Sequence, residues 1–204
     1  MGCDIHFAVE HKRKFDWEVV PHITYDERNY EAFGILAGVR GDGFPPISPP
    51  KGEPHDLSEE LRDDDVRGSD HSVTWLSVDE IVAYDWAQTA TLSGIVTPAT
   101  YAAWRRRQEW DGPLNNYPKS YSQGVSGPKV RIVSNEEMDA YVEENKDALE
   151  NDSTFFTNSH LYTKVEWDVM ASVAAGPFYN VVIPQMVRVQ RKGGQVRAVF
   201  GFDN

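Results

Sequence analysis

The sequence predicts an α+β fold, a single domain over 1–204 in which helices pack against a mixed or antiparallel sheet. Two patterns carry this prediction. Apolar and polar residues alternate over 3–10 and again over 196–202, as they do in strands that are buried on one face. Between these segments, Thr24, Ser77 and Ser134 each precede a Glu by three positions, which is the capping-box pattern of a helix N-terminus.

The first half of the chain is predicted to form a hairpin, a helix and a long loop. A strand over 3–10 is followed by a short return strand over 17–20. A capping box that begins at Thr24 predicts the next helix, and Gly38 predicts its end. Residues 41–72 are rich in proline and then in acidic residues, so we expect a long irregular loop, and such loops are usually functional or mobile.

The second half is predicted to alternate helices with strands. A proline at a first helical position and two further capping boxes mark the helix starts. The predicted elements are a helix over 77–86, a strand over 91–96, a helix over 98–107, a loop over 111–128, a helix from 134, a strand over 161–167, a helix over 178–189 and a strand over 196–202. Pro184 predicts a kink or a restart in the last of these helices, because proline lacks the N–H that the helix needs.

The charge of the chain is concentrated in two segments. The chain has 32 acidic and 20 basic residues, a formal net charge of −12, and residues 53–70 and 134–152 carry the excess acid. General binding to nucleic acid is disfavoured, because such binding needs Lys and Arg side chains that neutralise phosphates. The two acidic segments are interpreted either as solvated faces or as a surface that binds a basic host protein.

Composition also limits the compartment and the class of protein. No segment approaches the roughly 20 apolar residues that span a bilayer, and no signal peptide is visible. Cys3 is the one cysteine of the chain, so it cannot form an internal disulfide, which fits a reducing compartment. We therefore expect a soluble cytoplasmic protein that does not bind membranes. The sequence has no P-loop, Gly-x-Ser-x-Gly elbow or His-Glu-x-x-His motif that would name an activity.

Asp4 and His6 are the leading candidates for a catalytic or metal site. They lie two positions apart on a predicted strand, so their side chains project from the same face. A carboxylate beside an imidazole suits a divalent metal ion, and it equally suits acid–base catalysis in which the carboxylate orients the ring. The alternative interpretation is a strand whose polar face meets solvent or a backbone partner.

A second group of candidates comes from the end of the long loop and from the first helix. His71 follows the acidic loop and suits proton transfer or phosphate contact, while its neighbour Ser72 is a candidate ligand contact. Adjacent side chains rarely hydrogen-bond to each other, so no Ser–His pair is predicted. Arg28 and Arg40 are candidate anion-binding residues, and Arg28 is placed in the first turn of the predicted helix. Tyr30, at a core position, is a further candidate ligand contact. A turn role for His71 and ordinary surface arginines are the alternatives.

Several short motifs, spread from the first residues to the last, together resemble one protein family. They are Gly2-Cys3-Asp4-Ile5-His6, Arg28-Asn29-Tyr30 with Phe33, Val39-Arg40, His71-Ser72 with Trp75-Leu76, and Phe202-Asp203-Asn204. In these motifs the chain resembles a family of bacteriophage and prophage proteins that has no established activity. The resemblance implies a phage accessory protein that acts in the bacterial host cytoplasm, in the manner of antagonists of host defence, and it transfers no catalytic residue.

These patterns lead to one functional hypothesis and two alternatives. In the first, the domain binds a small anionic, nucleotide-like ligand and hydrolyses it, as a hydrolase or phosphodiesterase with Asp4, His6 and His71 as catalytic residues. Arg28 and Arg40 hold the phosphate in this hypothesis, and a divalent metal on Asp4 and His6 is the cofactor considered. In the second, the chain is a non-catalytic inhibitor that binds a basic host protein. In the third, it is a structural protein of the virion, and the sequence leaves the oligomeric state open.

Overall fold

The computed structural model describes the chain over 2–41, 43–62, 69, 71–108, 131–147 and 161–203. Helices accompany one antiparallel sheet and one sheet that contains a parallel pair, so the predicted α+β class is confirmed. The contacts divide the chain into two compact units, one formed by Met1–Ala90 with Met170–Asn204 and the other by Thr91–Val169. The single domain over 1–204 stays a prediction.

Strands and helices are interleaved along the whole described chain. The strands are β1 (Asp4–Arg13), β2 (Asp16–Val19), β3 (His71–Ser77), β4 (Thr89–Val96), β5 (Arg131–Val133), β6 (Leu161–Met170) and β7 (Gln195–Asp203). The helices are α1 (Tyr30–Ala37), α2 (Glu59–Arg62), α3 (Val78–Ala83), α4 (Pro98–Gln108), α5 (Asn135–Glu144), α6 (Ala171–Ala174) and α7 (Ile183–Gln190), with a π-helical turn over Phe178–Val182. No helix among the described residues is both long and apolar enough to pass through a bilayer.

The first unit is built on a four-stranded antiparallel sheet in the order β2-β1-β7-β3. The strands predicted near the two ends of the chain are confirmed, and they pair with each other as β1 and β7. Asp4 pairs with Asp203, so the start of β1 lies beside the end of β7. Phe200 and Phe202 of β7 are fully buried on one face, where the ring of Phe202 meets that of Phe33 in α1 at 5.1 Å between centroids. The sheet therefore carries its aromatic core next to α1.

Helix α1 begins later than predicted. Its N-cap is Asn29, whose side-chain oxygen accepts hydrogen bonds from the N–H groups of Glu31 and Ala32. The predicted capping box at Thr24 is wrong, because an amide side chain directly before the helix satisfies these N–H groups instead. The predicted end at Gly38 is confirmed, with a φ of 70° in the left-handed region that glycine favours.

The described part of the predicted loop over 41–72 covers the face of this sheet that lies opposite to Phe200 and Phe202. It contains α2, and the strand β3 begins at its end, at His71. Leu57 and Leu61 are buried in an apolar cluster with residues of β7 and the neighbouring strands. The proline-rich segment is thus anchored by its few large apolar side chains, which cover an apolar sheet face.

Two further predicted helix features of the first unit are confirmed. The side chains of Ser77 and Glu80 form the reciprocal bonds of a capping box at the start of α3, although the helix ends at Ala83 and not at Trp86. Pro184 lies in the first turn of α7, directly after the π-helical turn, so the chain restarts its helix there as predicted. Proline is tolerated at this position because the first N–H groups of a helix have no partner within it.

The second unit contains a three-stranded sheet in the order β4-β6-β5, in which β5 and β6 are parallel. Tyr101 and Trp104 of α4 are buried together with Met138 of α5. The predicted capping box of Ser134 and Glu137 is confirmed at the start of α5. The predicted loop over 111–128 lies outside the described residues.

Candidate functional site

Asp4 and His6 lie on the same face of β1, as predicted from their spacing. His6 is opposite Gly201 and Asp4 is opposite Asp203 in the neighbouring strand β7. The Nε2 atom of His6 is 3.1 Å from Oδ2 of Asp203, and the backbone N–H of Asp4 donates to Oδ1 of the same carboxylate at 3.3 Å. Asp203 therefore joins the two predicted residues into one polar group, although the sequence analysis assigned it no role in a site.

Arg28 binds Asp4 through two parallel hydrogen bonds. Its Nε donates to Oδ1 at 2.7 Å and its Nη2 donates to Oδ2 at 2.5 Å. The hydrogen bond from Arg28 is the main reason that the pKa of Asp4 lies below its usual value, and the same bond raises the pKa of Arg28. Both side chains are about half exposed, at 53% for Arg28 and 54% for Asp4. Arg28 precedes the N-cap of α1, so its predicted position in the first turn of that helix is wrong.

Gly2 and Tyr30 complete the surroundings of this pair. A Cβ atom at Gly2 would lie 2.6 Å from Nη1 of Arg28, so the missing side chain gives the guanidinium room to lie over the N-terminal segment. The hydroxyl of Tyr30 accepts a hydrogen bond from the N–H of Cys3 at 3.2 Å and keeps its own hydrogen for donation. Here, the β1–β7 cluster denotes the five residues Asp4, His6, Arg28, Tyr30 and Asp203.

Arg40 lies near the beginning of α1, although it follows the end of that helix in the sequence. After Gly38 the chain turns back, and a Cβ atom at Gly41 would lie 2.4 Å from the carbonyl oxygen of Tyr30. Arg40 precedes this close contact, is exposed, and has a φ of 63° in the left-handed region. Its backbone is therefore close to that of Tyr30.

His71 does not face the cluster. His71 is paired with Phe202 and its ring lies parallel to that ring, with 6.0 Å between centroids and 22° between planes. Residues that are paired across strands share a face, and Phe202 faces the opposite side from Gly201, which is paired with His6. The structure thus separates His71 from His6, contrary to the single site predicted for them.

Ser72 and His71 form a hydrogen bond that the sequence did not predict. The Nδ1 atom of His71 and the Oγ atom of Ser72 are 3.0 Å apart. Adjacent side chains on a regular strand point to opposite faces, but Ser72 has a φ of 56° and lies in an irregularity of β3 between His71 and Thr74. The irregular backbone brings the two side chains together, so the expectation that they would not pair is wrong.

The chemistry of the β1–β7 cluster follows from the pairing of His6 with Asp203. If Nε2 carries the proton and donates it to the carboxylate, the other ring nitrogen, Nδ1, is a proton acceptor. Within the described ranges, no group of three or more His, Cys, Asp or Glu residues is arranged to hold a metal ion. The divalent metal on Asp4 and His6 stays a prediction.

A buried ion pair lies further along β1 and β7, and no local sequence pattern indicates it. Nε of Arg197 donates to Oε2 of Glu10 at 2.7 Å, and the two side chains are 4% and 0% exposed. Glu10 also accepts the N–H of Ser58, and Arg197 also donates to Asp56, both at 2.7 Å. Burial alone raises the pKa of Asp56, but hydrogen bonds from Arg197 and Trp17 outweigh this effect and hold the pKa well below its usual value. The network attaches the segment before α2 to the sheet.

Aromatic rings enclose the charged end of Arg197. Its Cζ atom lies 3.9 Å from the ring centroid of Trp17 and 5.8 Å from that of Trp75. The Nζ atoms of Lys12 and Lys51 lie 5.3 and 4.1 Å from the rings of Trp17 and Trp75. Each such contact contributes about 0.5–2 kcal/mol, depending on its exposure to solvent. Because Arg197 donates its hydrogen bonds to Glu10 and Asp56 of the protein itself, we assign this network to stability and not to ligand binding.

A groove of about 400 Å³ lies between α3 and α7 in the first unit. None of the five cluster residues lines it; its lining residues are Val78, Asp79, Val82, Ala83, Val187, Gln190 and Arg191.

The chain matches no family model, no curated protein and no solved structure. Functional proposals therefore depend on the geometry of this chain, and the resemblance to phage proteins stays a prediction.

Proposed function

We propose that the chain binds a small anionic, nucleotide-like ligand at the β1–β7 cluster, with Arg28 as the anion-binding group. The position of Arg28 is the observation that supports this most directly. Its guanidinium is about half exposed, while Asp4 fixes its orientation through two hydrogen bonds. A guanidinium that is already oriented loses less conformational freedom when it binds a phosphate or carboxylate.

The bound carboxylate of Asp4 leaves donors free for a ligand. A guanidinium has five N–H groups, and Asp4 accepts from Nε and from Nη2. Among the described residues Arg28 donates to no other acceptor, so both N–H groups of Nη1, and the second one of Nη2, are left for an anion. The exposed Arg40 is the second proposed phosphate contact, because its backbone lies near that of Tyr30. His71 faces the other side of the sheet and Ser72 is hydrogen-bonded to it, so we assign neither residue a part in this step.

Hydrolysis of the ligand is the catalytic part of the proposal. Nδ1 of His6 takes a proton from the water that attacks the phosphorus, and Asp203 stabilises the imidazolium that forms. The bond from the phosphorus to the leaving oxygen then breaks, and the imidazolium returns the proton to that oxygen. Asp4 acts as a positioning residue, because its contacts are with Arg28 and not with a reacting atom. The role of a phage accessory protein in the bacterial cytoplasm belongs to the same proposal, and it depends on the sequence resemblance alone.

A thermal-shift experiment on the full chain tests the binding step. The probes are inorganic phosphate, AMP, ADP, ATP and cyclic AMP, each with and without Mg²⁺. A ligand that binds the folded chain raises its Tm, and we expect the rise to be lost in Arg28→Gln. Arg13→Gln is the matched control, because Arg13 is an exposed arginine on the same sheet that pairs with Glu18. The proposal fails if no probe raises the Tm, or if Arg28→Gln keeps the full rise.

A second candidate function is the binding of a basic host protein by an acidic surface. Helix α5 supports it, because Glu136, Glu137, Asp139, Glu143 and Glu144 are all exposed. Binding of this kind weakens as salt rises, since salt screens exposed charges. We expect a double variant, Glu136→Gln with Glu144→Gln, to bind a basic partner less tightly at low salt, and to leave the Tm rise with nucleotides unchanged.

A further inference from the structure

The groove between α3 and α7 presents apolar side chains to solvent. Val82 is 53% exposed, although it lies within a helix, and Val78, Ala83 and Val187 line the same groove. Its volume of about 400 Å³ lies within the range of pockets that hold small molecules, roughly 300–1,000 Å³, so side chains of a larger occupant can enter it. Exposed apolar side chains that share one concave site mark an interaction surface more often than isolated ones do.

Three basic residues mark one edge of this groove: Arg191 lines it, and Arg188 and Lys192 lie beside Arg191 without lining the groove. Arg188, Arg191 and Lys192 are exposed, and their spacing of three and four positions places them on one side of α7 and the turn that follows it. None of the three forms an ion pair with another described residue. In a chain with a formal charge of −12, this edge is a local positive region.

The acidic residue of the groove is already engaged. Oδ1 of Asp79 accepts a hydrogen bond from Nε2 of Gln190 at 2.7 Å, which joins α3 to α7 across the groove. Gln190 is neutral, so Asp79 keeps its negative charge, but the three basic residues outnumber it. The groove therefore offers an apolar floor and an edge of net positive charge. An occupant of complementary chemistry has an apolar side and carboxylates beside it.

We propose that the α3–α7 groove binds an amphipathic, acidic helix of a partner protein. The apolar side of that helix packs on Val82 and Val187, and its Asp and Glu side chains lie opposite Arg188, Arg191 and Lys192. Helices commonly bind other proteins in this way, with apolar residues at intervals of three and four inserted into a groove between two helices. This site is separate from the β1–β7 cluster and does not depend on the proposed function.

Two fluorescein-labelled peptides test the proposal against the full chain. Each has about 16 residues, long enough to form a helix, and carries leucines at intervals of three and four. One has Glu at its polar positions and the other has Lys. The net charge of the chain favours the Lys peptide, so tight binding of the Glu peptide requires the local basic edge. We expect fluorescence anisotropy to show binding of the Glu peptide at physiological salt.

Single substitutions then locate the binding site. We expect Val82→Glu to raise the Kd of the Glu peptide at least tenfold and Arg191→Gln to raise it at least threefold. Phe15→Ser is the control for Val82, because Phe15 is 87% exposed and does not line the groove. Arg13→Gln is the control for Arg191, and both controls are expected to leave the Kd unchanged. Circular dichroism of each variant confirms that it is folded.

Three results would overturn the proposal. The first is no binding of the Glu peptide, and the second is a Kd that Val82→Glu leaves unchanged. The third is a concentration-dependent dimer in sedimentation equilibrium that Val82→Glu abolishes, since a second copy of the chain would then occupy the groove.

Discussion

Arg28 donates to both carboxylate oxygens of Asp4, at 2.7 and 2.5 Å, across an interval of 24 positions in the sequence. This contact joins the segment before α1 to the first residue of β1. The orientation of the arginine is therefore set by the sheet, since β1 is held along its length by β7. The proposed anion site depends on this contact more than on any other.

The first prediction concerns the titration of Asp4. In Arg28→Gln we expect the pKa of Asp4 to rise towards its usual value, because the hydrogen bond from Arg28 is the main cause of its lowering. The lowered pKa means that the paired carboxylate stabilises the fold above the pKa of unfolded Asp, about 3.9. This contribution is lost as the pH falls through the folded-state value. NMR titration of the carboxyl carbon measures the change, and an unaltered titration would show that the contact is not formed in solution.

The second prediction concerns the proton on His6. At a pH where the ring is neutral, we expect the ¹⁵N shifts of His6 to report the proton on Nε2, because that atom faces Asp203 at 3.1 Å. Asp203→Asn should give a mixture of the two tautomers, since an amide can donate as well as accept. Asp16→Asn, at the start of β2, is the matched control. A wild-type ring with its proton on Nδ1 would contradict the proposed role as a base.

The third prediction concerns the buried ion pair. Arg197→Ala leaves the carboxylate of Glu10 buried without its main partner, which costs about 3–5 kcal/mol of unfolding free energy. Arg188→Ala is the control, because Arg188 is exposed and pairs with no acidic residue in the described ranges, so its loss should change stability by less than about 0.5 kcal/mol. Chemical denaturation of both variants measures the difference. A loss below about 1 kcal/mol for Arg197→Ala would mean that water reaches Glu10.

The fourth prediction separates two possible caps of α1. Asn29→Ala removes the acceptor for the N–H groups of Glu31 and Ala32, and should cost about 0.5–2 kcal/mol. Thr24→Ala removes the residue at which the sequence predicted the cap, and should cost less than about 0.5 kcal/mol, because Thr24 is exposed. Thermal unfolding compares the two. Equal losses would place the start of the helix earlier than in the structure.

Local patterns in the sequence predicted the elements well where one residue and its near neighbours decide the outcome. The alternation of β1 is one example. The capping boxes at Ser77 and Ser134 are others, since the hydrogen bonds of a capping box join residues three positions apart. Thr24 shows the limit of this reasoning. It fits the same pattern, but Asn29 lies closer to the helix and takes the role of the cap.

The parts of the site that could not be predicted depend on contacts between distant residues. Asp4 and His6 could be placed on one face because they lie on one strand. Asp203 is 197 positions from His6, and only the pairing of β1 with β7 brings them together. His71 could not be assigned to a face either, because the irregularity at Ser72 interrupts the alternation of β3.

The position of β7 in the sheet bears on how the protein is made. β7 lies between β1 and β3, yet it follows every other strand and helix of the first unit in the chain. A nascent chain on the ribosome therefore holds β1 and β3 with no central strand between them until translation of this segment is complete. During that interval the edges of both strands are open to chaperones and to other chains. Synthesis of this unit thus ends with the insertion of a strand, and a stalled ribosome leaves an open sheet.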